Sequence, residues 1–85
     1  MTALETIARD VQYAIRESSD HGMIARVVCP LTEIEVYRME AKRQAESADM
    51  VVRIEHAEAK LITCSAYYPS RGPQAPEWRV EIESA

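Results

Sequence analysis

Hydrophobic and polar residues follow two different periods along this chain, and the changes of period mark its elements. Over residues 3–17, Leu4, Ile7, Ala8, Val11, Ala14 and Ile15 recur at helical spacing, with Tyr13 off the stripe. Thr2 and Glu5 have capping-box spacing at the start of that run, Glu5 and Arg9 are placed as an i,i+4 pair on its exposed side, and the turn formers from Ser18 to Gly22 end it. Residues 23–29 (MIARVVC) read as a strand stopped by Pro30, with a short helix as the alternative. Thr32 and Glu35 repeat the capping-box spacing, and Leu31 and Val36 occupy the hydrophobic-staple positions around it. The helix this starts extends to about Ser47, with Ile34, Tyr37, Ala41, Ala45 and Ala48 along one face and a lacing of Glu, Arg and Lys over the rest.

From residue 50 the period shortens to two, and β-branched and aromatic residues concentrate. In 50–56, Met50, Val52, Ile54 and His56 share one face, and Val51, Arg53 and Glu55 the other. In 61–68, Ile62, Cys64, Ala66 and Tyr68 form the better core set, leaving Leu61, Thr63, Ser65 and Tyr67 outward. Residues 57–60 connect these strands without a Gly-rich turn signature, so the hairpin register stays open, and a slip of one residue would exchange its faces. Residues 69–76 hold three of the four prolines and form a loop, after which Trp78, Val80 and Ile82 alternate with Glu77, Arg79, Glu81 and Glu83. These elements predict a single α+β domain over residues 1–85, in the order α-β-α-β-β-β, with two helices packed on one face of a three- to four-stranded antiparallel sheet.

Composition narrows the picture further. With 85 residues, 47% of them hydrophobic, and only 2 Gly, the chain is a small globular domain whose modest core leaves self-association open as a source of stability. Its net charge of -4 disfavours non-specific binding to nucleic acid or anionic lipid. Two cysteines, Cys29 and Cys64, lie in apolar strand-like settings and are too few for a disulfide framework, which points to a reduced, cytoplasmic protein. The N-terminal stretch lacks a signal-peptide pattern, and no apolar run reaches the ~18 residues that a membrane span requires.

Candidate chemistry is sparse. His21, Cys29, His56 and Cys64 are of metal-ligating type, but no two stand at chelating spacing. Cys64 and His56 are the one thiol and base that a hairpin could bring together, and no Gly-rich oxyanion loop accompanies them. The glutamates fall on solvated faces, where no burial would raise a carboxyl pKa, and phosphate-loop, dinucleotide and calcium-loop patterns are absent. No catalysis and no cofactor are therefore expected.

The remaining features are surfaces. With both helices assigned to one side of the sheet, Arg53, Glu55, Thr63, Ser65, Tyr67, Arg79 and Glu81 are left as an open face of mixed charge. Arg71, held between Pro69 and Pro73, adds a guanidinium on a stiff loop, and an outward tyrosine is a common interface anchor. The expected binding set is Arg53, Glu55, Tyr67, Arg71, Arg79 and Glu81, facing a protein partner or a second copy of the chain. In size, charge and lack of motifs the chain resembles the small orphan proteins encoded by phages and other mobile elements, anti-CRISPR inhibitors among them. That resemblance implies an inhibitory binding role. The alternative is a nucleic-acid-binding regulator with a helix and a wing, using Arg38, Lys42, Arg43 and Arg71, although Glu35, Glu40 and Glu46 leave that helix near neutral.

Overall fold

The computed structural model describes residues 2–85. The first helix, α1, spans Ala3–His21, and strand β1 spans Ile24–Cys29. Helix α2 (Ile34–Ser47) follows a 3-10 turn at Leu31–Glu33, and strands β2 (Val51–Glu58), β3 (Leu61–Tyr67) and β4 (Trp78–Ser84) complete the chain. The strands form one sheet in the order β1-β4-β3-β2. Among the described residues no helix is long and apolar enough to cross a membrane.

The α+β architecture with two helices on one side of the sheet is as predicted, but the sheet is mixed, because β1 runs parallel to β4 while the other pairs are antiparallel. The cause is α2. A helix crossing over the sheet returns the chain in its original direction, so β1 and β2 point the same way. They occupy opposite edges, and β3 and β4 fill the gap between them, which sets β4 beside β1 in parallel. The result is a split β-α-β unit.

The core lies between this sheet and the helices. Ile7, Val11 and Ala14 of α1 and Ile34, Tyr37, Ala41 and Ala45 of α2 bury against Val27, Cys29, Ile62, Cys64, Ala66, Trp78, Val80 and Ile82. Full burial of an aliphatic side chain such as Val80 or Ile82 contributes about 1.5–3 kcal/mol relative to exposure. A hydrogen bond ties the two helices together, with the Tyr37 hydroxyl donating to Asp10 Oδ2 at 3.1 Å.

Several local expectations change. The Thr2 cap forms, its hydroxyl accepting from the Glu5 N–H at 3.1 Å, and Gly22 takes the left-handed C-cap conformation. The helix nevertheless continues through Ser18, Ser19 and Asp20 to His21, because Ser18 has a tertiary role: it is buried, and its hydroxyl accepts the backbone N–H of Arg79 at 2.8 Å. Leu4, assigned to the apolar stripe, lies in the first turn and stays exposed. The Thr32 capping box does not form. An N-cap needs extended backbone, and here the extended residue is Pro30 (φ -60, ψ 146), whose carbonyl accepts the Glu33 N–H in the 3-10 turn. Glu35 pairs instead with Arg38. At the other end of α2, Ala48 is exposed and Asp49 adopts φ 62. The Asp49 N–H bonds the Glu46 carbonyl and the Met50 N–H bonds that of Ala45, a Schellman closure with Asp in the position Gly usually takes.

The hairpin of β2 and β3 turns through Ala59 and Lys60, and its register is interrupted. Ile54 pairs with Cys64 and His56 with Thr63, so Glu55 is an extra residue, a β-bulge. Before the bulge the predicted parity holds; after it the faces exchange, and His56 joins Arg53 on the helix-free side. Tyr68, placed in the core by alternation, lies beyond the strand end and is exposed. Ile54 is 41% exposed, since β2 has a neighbour on one side only and its inward residues sit at the rim of the core.

Candidate functional site

The helix-free face of the sheet brings the predicted residues together. Register places Arg53 and Arg79 on either side of Ser65, and His56 and Glu81 on either side of Thr63. The bulge aims Glu55 inward along this face. Its Oε1 accepts both Nε (3.0 Å) and Nη2 (2.8 Å) of Arg79, so the ion pair reaches from β4 to β2 across the intervening β3. Ser65 lies beneath it and is completely buried despite facing away from the helices, and Thr63 is nearly so. Two small hydroxyl residues on the central strand make this bridge possible, since a large side chain at position 65 would hold the pair apart.

Charge organises the rest of the face. Arg26 of β1 sits 3.8 Å from Glu81 and 3.7 Å from Glu83, and His56 Nε2 lies 3.0 Å from Glu58. Arg53 makes no ion pair among the described residues, leaving its guanidinium free while its charge acts on Glu55. Burial pushes the Glu55 carboxyl up, but the hydrogen bond from Arg79, the nearby Ser65 hydroxyl and the charges of Arg79 and Arg53 outweigh it and hold that carboxyl below its ordinary range. At the end where β3 leaves the sheet, half-buried Tyr67 pairs with exposed Val51. Arg71 stands on the loop after β3 with its side chain 65% exposed and ion-paired. Its Nη1 bonds Glu77 Oε1 at 3.1 Å, in a loop shaped by Gly72 at φ 83.

Other predicted chemistry is not assembled. Cys64 faces the helices while the bulge turns His56 to the opposite side, so the sheet separates thiol from imidazole. Burial pushes the Cys64 thiol up to about 11, and burial followed by the charge of Glu33 also raises that of Cys29. Both cysteines are free. Among the described residues no group of three or more His, Cys, Asp or Glu side chains is placed to hold a metal ion. On α2, Arg38 pairs with Glu35 at 2.8 Å and Arg43 with Glu40 at 2.7 Å, leaving Lys42 as the one cation of the predicted helix set without an ion pair among the described residues.

Sequence reasoning placed Glu83 outward on β4 without including it in the expected binding set, and missed Arg26, His56 and Glu58 on this face. For the last two a signal existed: in Arg53, Glu55, His56 and Glu58 the polar alternation breaks between adjacent residues 55 and 56, where the bulge lies. For Arg26 the alternation of Ile24, Arg26 and Val28 with Ala25, Val27 and Cys29 was present, but nothing local showed that β1 borders β4. No family model matches the chain, and no curated protein and no solved structure matches it either.

Proposed function

We propose that this protein is a non-enzymatic binding module that occupies and blocks a surface of another protein through the helix-free face of its sheet. The observation that carries the reading is the Arg79–Glu55 bridge over Ser65, which fixes the charges of the helix-free face in a set pattern, with Arg53, Tyr67 and Val51 left at one end. A rigid, preorganised array loses little entropy when a partner docks on it, and Tyr and Arg are the residue types most often found at the energetic centre of interfaces. The partner that fits presents an acidic group to Arg53 and an apolar edge to Tyr67. Two buried free thiols suit a reducing, cytoplasmic setting.

The test compares two baits in a native host lysate, the unaltered protein and the double variant Arg53→Glu, Tyr67→Ala, with captured proteins identified by mass spectrometry. Arg53 is exposed and Tyr67 half-buried at the strand end, and both changes leave the Arg79–Glu55 pair in place, with circular dichroism confirming that the variant is folded. The expected result is one protein captured by the first bait and absent from the second. Equal capture by both removes this face from the interaction.

A further inference from the structure

We infer that the β1 edge of the sheet is a self-association surface, where a second copy of the chain adds its own β1 in antiparallel register and extends the sheet from four strands to eight.

The two edges of the sheet differ in protection. Strand β2 carries a bulge and the polar residues Arg53, Glu55, His56 and Glu58, devices that discourage edge pairing. Strand β1 has no bulge and far fewer polar residues. Its sequence is IARVVC, Arg26 is its single charged residue, and it runs in unbroken register along β4, so its outer row of backbone groups is straight and unblocked. Exposed apolar side chains surround it: Ile24 (42%) and Val28 (55%) on the strand, Met23 and Leu31 at its two ends, and Tyr13 (68%) above it on α1. Tyr13 stands over a groove that it lines with Asp10, Ala14, Arg26, Val27 and Val28.

Geometry selects a second copy as the occupant. Helix α1 packs over both β1 and β4. If two β1 strands pair across a two-fold axis normal to the sheet, the two α1 helices lie about two strand spacings apart, or roughly 9.6 Å, which falls within the ~8–10 Å of ordinary helix packing. The pairing therefore joins both layers at once, and Tyr13 of each copy becomes buried between the helices.

Such an axis requires opposed residues to share a face, so their numbers sum to an even value. With Val27 opposite Val27, Ala25 meets Cys29 on the helix side and Arg26 meets Val28 on the other. Behind Val28 of the second copy stands its Glu83, the β4 neighbour of Val28 in the register of this chain. Arg26 then lies one strand away from a glutamate, with the exposed Val28 between them, so its long side chain passes beside Val28 rather than over a small residue such as Ser65. Within its own chain Arg26 has only the longer contacts of 3.7 and 3.8 Å and remains 65% exposed. This pairing is carried by the β1 edge and α1, whereas partner binding is proposed at the Arg53 and Tyr67 end of the face, so different variants test the two.

Sedimentation equilibrium tests it. The unaltered chain is expected at twice 9.6 kDa. Tyr13→Glu and Arg26→Glu, both at exposed positions, are each expected to weaken dimerisation by at least about tenfold, and Glu83→Arg added to Arg26→Glu to restore much of it. Circular dichroism accompanies each variant to confirm that it is folded. A chain that stays at the monomer mass at ~100 µM, a concentration at which even weak specific dimers are populated, overturns the proposal. So does a dimer indifferent to both single changes.

Discussion

Arg79 joins the two sides of the sheet through two different atoms: its backbone N–H donates to Ser18 Oγ in the helix layer at 2.8 Å, and its guanidinium grips Glu55 on the opposite face. The residue that orders the candidate binding face is thereby held by a part-buried bond from α1.

Loss of the first link is expected to cost about what one hydrogen bond contributes. Ser18→Ala leaves the Arg79 N–H at the start of β4 without its acceptor, at a part-buried position. Urea denaturation should show a loss of about 0.5–1.5 kcal/mol.

The second link should reveal itself through pH. Glu55 is more acidic in the folded chain than in the unfolded one. Its contribution is therefore complete above the unfolded carboxyl pKa and disappears as pH falls through the lower folded value. The side chains of Arg79 and Glu55 are 43% and 22% exposed, so solvent screens the pair and Glu55→Gln should cost only about 0.5–1 kcal/mol at pH 7. The difference between variant and parent is expected to vanish in strong acid, as read by denaturation at several pH values.

Tyr37 and Asp10 tie the helices together, and burial, with the hydrogen bond and charge of Asp10 next, pushes the Tyr37 hydroxyl up to about 12. Its folded pKa is raised, so the neutral hydroxyl favours the fold fully below the unfolded tyrosine pKa, and that advantage is lost as pH rises through the folded value. Tyr37→Phe should cost about 0.5–1.5 kcal/mol at neutral pH. It should also remove the step near pH 12 that Tyr37 contributes to the ultraviolet tyrosine titration.

Both cysteines should be silent toward alkylating reagents in the native protein. Their thiols are buried and raised in pKa, Cys64 to about 11, so the reactive thiolate is scarce near neutrality. Iodoacetamide labelling followed by mass spectrometry is expected to modify neither in buffer and both in denaturant. Fast native labelling of Cys64 would mean that the core opens far more readily than its packing implies.

Periodicity, together with β-branched content and turn residues, located both α-helices and the last three strands, left residues 23–29 between strand and short helix, and divided most of the sheet residues into a helix side and an open side, since burial on one face forces alternation and a helix forces a stripe. Five of the six expected binding residues, Arg53, Glu55, Tyr67, Arg79 and Glu81, do share the open face for that reason. Arg71, the sixth, stands on the 68–77 connection beyond the strands, exposed and paired with Glu77, a contact that forms only when that connection folds back on the start of β4. What tertiary structure decided was order and reach: β1 beside β4, the bulge that turns His56 outward, Ser18 as a buried acceptor, and an arginine that crosses a strand to its glutamate. Each of these depends on a neighbour far away in sequence, and side-chain periodicity carries no information about which neighbour that will be.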